Sequence, residues 1–316
     1  MNSFKCCLTV GSSLAVHGGL EKVREVTDNI YLVKGKGGGR FPYSFSILIL
    51  DEVKVLIDTG CGVDVLRKLR KKYDVDLVIN SHTHPDHSAG NWLFKGKPIY
   101  VPEEGFPTSG DLKALSERFT EPGWLAEYWI GFVTKVMGIK NCRPTESYNE
   151  KTVFKFGDTV LLPIHTPGHT RDHYCFYEPN ERILFSFDYD LTSFGPWYGH
   201  RESSIEETRR SIERIKSLRP RIVVSGHRGV VVGDLEAEFD AFQMKIDERS
   251  ERILRLLGRG RSIEQLVDAA PIYGGFPYAE PLLRYWEKVM IEKHLEELER
   301  KGKVKREGEV YFRVET

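Results

Sequence analysis

The 316-residue chain predicts an α/β fold followed by a small helical, winged-helix-like C-terminal domain, and three observations carry that expectation. Four apolar runs, Leu77-Val78-Ile79, Leu161-Leu162-Pro163-Ile164, Ile183-Leu184-Phe185 and Ile222-Val223-Val224, read as buried strands, and each leads into side chains that bind metals. Segments with helical apolar spacing lie between them. Near Glu248 the pattern changes to helices and a closing hairpin, so residues 1–247 read as one domain and 248–316 as a second.

Taken in order, Glu25 to Lys34 and Ser44 to Asp51 read as the first strands. The intervening Gly35-Lys36-Gly37-Gly38-Gly39 makes a poor phosphate cradle, because Phe41, Pro42, Tyr43 and a strand follow it instead of a helix; a hairpin near the site mouth suits it better. Val63 to Tyr73 forms a surface helix with Val65, Leu66 and Leu69 inward. Residues 103–143 form a helical insertion, with helices expected over Leu112 to Phe119 and Trp124 to Met137. Trp124, Leu125, Tyr128, Trp129, Phe132, Val133 and Val136 make one apolar face, read either as a cap over the site or as core packing or a homodimer contact. Ile205 to Leu218 is amphipathic, with Glu206 and Glu207 early and Lys216 late, as the helix dipole favours. Beyond Glu248 come helices at Arg249 to Leu257, Ser262 to Asp268 and Pro281 to Lys301, the second with a Ser262/Gln265 capping box, and then a hairpin over residues 302–314.

The densest chemistry is His82-Thr83-His84-Pro85-Asp86-His87, directly after the Asp76–Asn80 run. Three imidazoles and a carboxylate on one tight loop suit Zn²⁺, Fe²⁺ or Mn²⁺, and the loop can divide its ligands between two ions. Further metal-competent side chains follow later strands: His169 after a Pro167-Gly168 turn, Asp188 after Ile183–Phe187, and His227 after Gly226.

In this order, and with Leu56-Ile57-Asp58-Thr59-Gly60 ahead of them, these motifs resemble the metallo-β-lactamase-fold hydrolase superfamily over roughly residues 26–232. The resemblance implies an αβ/βα sandwich of two mixed sheets with metals along one edge. It implies two divalent ions, Zn²⁺ foremost and Fe²⁺ or Mn²⁺ as alternatives. His82, His84 and His169 would hold the first, Asp86, His87 and His227 the second, and Asp188 both, with Asp190 as a fallback bridge. A metal-bridging hydroxide would attack an ester or thioester carbonyl, with Asp86 as the catalytic residue orienting it. Asp58 either accepts the outer N–H of a ligand imidazole or closes a strand-end turn on the Gly60 and Cys61 amides. No Cys stands at a ligand position, which groups the chain with glyoxalase II-like and ribonuclease-like members, and His84 replaces the Glu of the flavin-linked di-iron members. Phe187, where many relatives have Gly, is a departure that could tilt the Asp188 carboxylate.

Other side chains are weaker candidates. Tyr198 or His200, on an aromatic loop after Asp188, would touch substrate, as would Trp129 if the insertion is a cap and Arg228 if the substrate is anionic; packing or solvated roles are the alternatives. His173 reads as a buried histidine bonded to backbone, while His17, His165 and His294 have no partner legible in the sequence.

Bulk properties narrow the class. Lys plus Arg equals Asp plus Glu at 46 each, so no global basic field advertises nucleic-acid binding. The 14 Lys/Arg against 12 Asp/Glu from Arg249 onward, with a cluster at Lys301, Lys303, Lys305 and Arg306, leave RNA a partner only through the tail's likeness to the endoribonuclease branch. Five cysteines without a C-x-x-C pair fit a reducing cytoplasm, residues 1–20 make a poor secretory signal and read as loosely ordered before Glu21, and no run is long enough to span a membrane. The expected function is a dinuclear hydrolase of a small ester or thioester. A single-stranded-RNA phosphodiesterase, a mononuclear-iron persulfide dioxygenase and a winged-helix regulator with a sensor domain are the alternatives.

Overall fold

The computed structural model describes residues 23–314. Two mixed sheets face each other. The first has seven strands in chain order: β1 (Val23–Glu25), β2 (Ile30–Val33), β3 (Ser46–Leu50), β4 (Lys54–Ile57), β5 (Leu77–Ile79), β6 (Ile99–Pro102) and β7 (Glu146–Tyr148). Strands β1 to β4 pair antiparallel and β4 to β7 parallel, the latter through crossovers that include α1 (Val63–Lys72) and α2 (Pro85–Ser88). The crossover from β6 to β7 is the insertion, built from α3 (Leu112–Phe119) and α4 (Trp124–Phe132), with a π turn over Val133–Met137.

The second sheet holds β8 (Phe154–Lys155), β9 (Val160–His165), β10 (Tyr174–Glu178), β11 (Ile183–Phe187), β12 (Ile222–Ser225) and β13 (Gly229–Val231) in an unbroken spatial order. Helix α5 (Ile205–Ser217) forms the single parallel crossover, between β11 and β12. Side-chain alternation explains the layering. Ile47 and Ile49 of β3 face the second sheet and join Phe176 and Phe185 in the central core, whereas Leu48 points the other way and packs with Leu66 and Leu69 of α1. On the far side, Leu184 and Val223 pack with Ile212 and Ile215 of α5. The result is the expected helix–sheet–sheet–helix sandwich.

The C-terminal region comprises α6 (Leu235–Leu256), α7 (Ile263–Ala269), α8 (Glu280–Arg300) and a hairpin of β14 (Val304–Glu307) and β15 (Val310–Arg313). Ser262 and Gln265 form the anticipated reciprocal capping box. The boundary expected after residue 247 falls inside α6, so no linker separates the two parts there. Leu283 and Trp286 of α8 share one apolar cluster with Phe119 of α3 and Trp129 of α4. The Lys301, Lys305 and Arg306 charges are each paired, with Glu297, Glu307 and Glu309 respectively. Cys61, Cys142 and Cys175 are thiols and not disulfide partners, and Cys6, Cys7, His17 and the expectations for residues 1–20 lie outside the described residues. Among the described residues no helix is long and apolar enough to cross a membrane.

Candidate metal centre

Strand ends deliver the metal-competent side chains to one place. β5 stops at Ile79, and the chain turns through Asn80–His84 into α2, which carries Asp86 and His87. The end of β4 backs this loop so closely that a Cβ at Gly60 would lie 1.4 Å from the Asp86 carbonyl oxygen. Only glycine permits that approach. The turn between β9 and β10 brings His169, while β11 and β12 end just before Asp188 and His227. Two groups result: His82, His84, His169 and Asp188, and Asp86, His87, Asp188 and His227, each with ligand atoms within 4.8 Å of one another.

Hydrogen bonds on the outer sides of the rings fix which nitrogen faces inward. His87 Nδ1–H donates to Asp58 Oδ2 at 2.7 Å. His82 Nδ1 meets Ser81 Oγ at 3.0 Å, and Ser81 Oγ donates onward to Asp58 Oδ2 at 2.8 Å. His169 Nδ1–H donates to the Trp197 carbonyl at 3.0 Å, and His227 Nδ1–H to the Gly39 carbonyl at 2.6 Å. These four imidazoles therefore present Nε2 to the interior. His84 is reversed: its Nδ1 lies 2.9 Å from His169 Nε2, and its Nε2 lies 2.8 Å from His200 Nε2.

The donor set fits a divalent cation. His82 Nε2 is buried without a hydrogen-bond partner, and His87 Nε2 and Asp188 Oδ1 are buried facing only each other, at 2.7 Å. Orphans of this kind cost about 1–3 kcal/mol each unless something coordinates them. Burial, and then the neighbouring imidazoles, hold His82 and His84 well below the usual histidine range, in the neutral form that ligates metal. Burial alone would raise the Asp188 carboxyl, but His87, His169 and His227 outweigh it and hold it well below the usual range. Burial likewise pulls His227 down, and Asp188 reverses this and pushes it up to about 9.

A cavity of about 1000 Å³ opens on this cluster, with His84, Asp86, His169, Asp188 and His227 in its wall. Away from the ligands its lining is aromatic, from Phe41 and Phe119 to Trp129, Trp197, Tyr273 and Trp286. Three cations also line it, and two are neutralised: Arg228 by Glu238 at 2.6 Å and Lys245 by Glu248 at 2.8 Å. Arg40 has no ion pair among the described residues.

The model of the metallo-β-lactamase superfamily matches residues 39–227, more than half of the chain and the whole span of the ligand motifs. The chain belongs to this superfamily. Among its relatives is the acyl-coenzyme A thioesterase MBLAC2 of Homo sapiens, 27% identical over 250 residues that cover 72% of this chain and 76% of that protein. The atrochrysone carboxyl ACP thioesterase of Emericella nidulans is 23% identical over 293 residues, covering 90% and 83%. In structure, the metallo-β-lactamase family protein TTHA1429 of Thermus thermophilus matches with a TM-score of 0.71 at 22% identity, over 92% of this chain and all of that one. The shared fold therefore extends into the C-terminal helices.

In this superfamily member every residue expected as a ligand enters one of the two groups, and Asp188 enters both. Asp190 enters neither; it is half-buried, its carboxyl is pushed up to about 6, and it accepts from the Thr192 amide. Asp58 bonds Ser81 and His87, which is the ligand-orienting arrangement of the two weighed for it. Phe187 does not displace the carboxylate that follows it. It adopts φ 47°, in the left-handed region that glycine favours, at a register shift between β11 and β12, and its ring is buried in the core.

Of the substrate candidates, Trp129, His200 and Arg228 line the cavity, and Arg228 is engaged by Glu238. Tyr198 requires a correction: it is fully buried, bonds His294 and Arg249, and does not line the cavity. His173 is buried, with Nε2 accepting from the Asp188 amide at 3.3 Å. His165 Nε2 bonds the Arg171 carbonyl, and His294 bridges Tyr198 and Ser250. The sequence reading missed Trp197 and Trp286. It also missed a buried network in which Asp172 accepts from the Thr83 amide at 3.1 Å and from Arg118 Nη2 at 2.6 Å, tying α3 to the metal loop.

Proposed function

We propose that this protein is a dinuclear metal-dependent thioesterase. The observation that carries the reading is a single cavity with paired ligand groups at one end and an aromatic wall at the other. That arrangement holds an apolar acyl group beside a polarised carbonyl. The thioesterase names of two relatives point the same way.

His82, His84 and His169 would hold one ion, Asp86, His87 and His227 the other, and Asp188 would serve both. Zn²⁺ suits this all-nitrogen-and-oxygen set, and Fe²⁺ or Mn²⁺ would also fit it. When bound, such a pair acts as a Lewis acid and makes hydroxide available at neutral pH. The protein's own part is positional. Asp58, Ser81, Trp197 and Gly39 lock four ring orientations through the bonds given above. Asp86, whose Oδ2 lies 3.6 Å from His227 Nε2, is placed to accept a proton from the attacking water. The Phe119, Trp129 and Trp286 side chains exclude water from the acyl group. Arg40, exposed and without an ion pair among the described residues, is placed to meet an anionic carrier such as the phosphates of a coenzyme A thiol.

Hydrolysis of an acyl-coenzyme A and of a phosphodiester by the metal-loaded protein, with Asp86→Ala as control, tests the reading. Thioester cleavage that the variant loses is the expected result. Cleavage of the phosphodiester alone would replace it with a nuclease reading, and activity on neither would reject both substrate classes.

A further inference from the structure

We propose that the loop 194–200, through His200 and the Trp197 carbonyl, is the outer support of the first ligand group, and that the C-terminal helices hold this support in place through Arg249. The inference rests on the metal-centre reading and goes beyond it, because it assigns the C-terminal region a part in metal binding.

The argument starts from the reversed ring. His84 faces the cluster with Nδ1, so its Nε2 carries the proton when the ring is a neutral ligand. That N–H is buried and needs an acceptor, and His200 Nε2 stands 2.8 Å away. His200 cannot easily drift. Its ring stacks on Phe119 of α3 at 4.5 Å between centroids, and its amide donates to Ser203 Oγ at 3.2 Å. Ser203 Oγ in turn donates to the His169 carbonyl at 2.6 Å. Trp197, three residues before His200, supplies the carbonyl that receives His169 Nδ1–H. One loop thus orients two of the three imidazoles in the first group.

Arg249 of α6 clamps that loop. Its side chain is almost completely buried and has no carboxylate partner among the described residues. Its donors go instead to the Pro196 carbonyl, to the Phe194 carbonyl at 2.6 Å and to Tyr198 Oη at 3.0 Å. The guanidinium also lies 4.6 Å from the Phe194 ring centroid. A buried cation satisfied by loop carbonyls gives the loop a single conformation, since any other leaves the charge unpaired.

Variants at the two positions separate orientation from packing. His200→Gln keeps an acceptor at the same reach, and His200→Phe keeps the ring and its stacking on Phe119 but removes the acceptor. Metal content after dialysis and Zn²⁺ affinity by chelator competition are measured for each, with thermal unfolding of the metal-stripped proteins alongside. His200→Phe is expected to weaken one ion by about 10–100-fold. His200→Gln should stay near the wild type, and Arg249→Lys, which loses the forked donors, should weaken the same ion. Unchanged affinity in His200→Phe would overturn the proposal, as would an equal loss in His200→Gln, since that would make the ring's packing the cause. Unchanged affinity in Arg249→Lys would remove the link to the C-terminal helices. His200→Leu replaces the Phe variant if the latter does not fold. A wild type that holds only one ion would refute the dinuclear reading, while the affinity ratios would still decide this one.

Discussion

Asp58 orients two imidazoles at once, directly at His87 and through Ser81 at His82, and its own backbone adopts φ 60° to do so. Such local strain persists only where the surroundings over-determine it. Asp172 does comparable work behind the loop. Burial pushes its carboxyl up, but Arg118 outweighs burial and holds it below its ordinary value of 3.8. A depressed carboxyl stabilises the fold fully above that ordinary value and loses its contribution as pH falls further. Asp172→Asn should therefore cost about 3 kcal/mol near pH 6. The gap to the wild type should begin to narrow below about pH 4 and shrink further as the pH falls. Urea unfolding of the metal-stripped proteins across this range checks it; a gap independent of pH would mean that the carboxylate charge is immaterial. Arg40 offers a kinetic counterpart. Arg40→Ala should raise KM for an acyl-coenzyme A several-fold and leave KM for the matching acyl-N-acetylcysteamine, which lacks phosphates, unchanged. An equal change for both thioesters would remove the anion-binding role.

At the scale of elements, α3, α4 and α8 together make the cavity wall that faces the two His/Asp groups. The apolar face of residues 124–136 was open to two readings, a cap or a contact with another copy. Part of it takes the first role, since Trp129, Phe132 and Val133 line the cavity, whereas Trp124 and Tyr128 of the same stretch are exposed. Trp286 closes the wall from the C-terminal side and meets Trp197 edge-on at 5.6 Å. Trp286→Ala should cost about 3–5 kcal/mol of stability. It should also shift the preference in kcat/KM towards bulkier acyl groups, read from a series of acyl-coenzyme A substrates. A uniform fall across the series would show that this wall does not set acyl size.

For the whole molecule, the continuity of α6 across residue 247 and the apolar cluster shared by α8, α3 and α4 argue against an independent second domain. Calorimetry of the metal-stripped protein should show one unfolding transition with equal calorimetric and van't Hoff enthalpies. Two resolved transitions would restore the two-domain description. The same packing bears on the RNA alternative: α8 presents Leu283 and Trp286 to the cavity beside the two groups, and three of the four cations at the hairpin are neutralised by neighbouring acids.

The seven side chains that gather in the two groups were legible in the sequence because each follows a short apolar strand, and strand, turn and side chain are neighbours along the chain. The surface helices and the Ser262 cap were legible for the same local reason. Asp58 was half legible, since its position at a strand end is local but its partner lies 29 residues away. What surrounds the ligands depended on the tertiary structure. His200 meets His84 across 116 residues of chain, and Arg118 meets Asp172 across 54. Tyr198 and His200 stand two residues apart on one loop and looked equivalent, yet one is buried against α6 and α8 away from the cavity and the other lines the cavity 2.8 Å from His84. Local patterning decides which side chains can bind metal. The packing of distant segments decides which nitrogen each imidazole offers, and what shape of substrate can reach it.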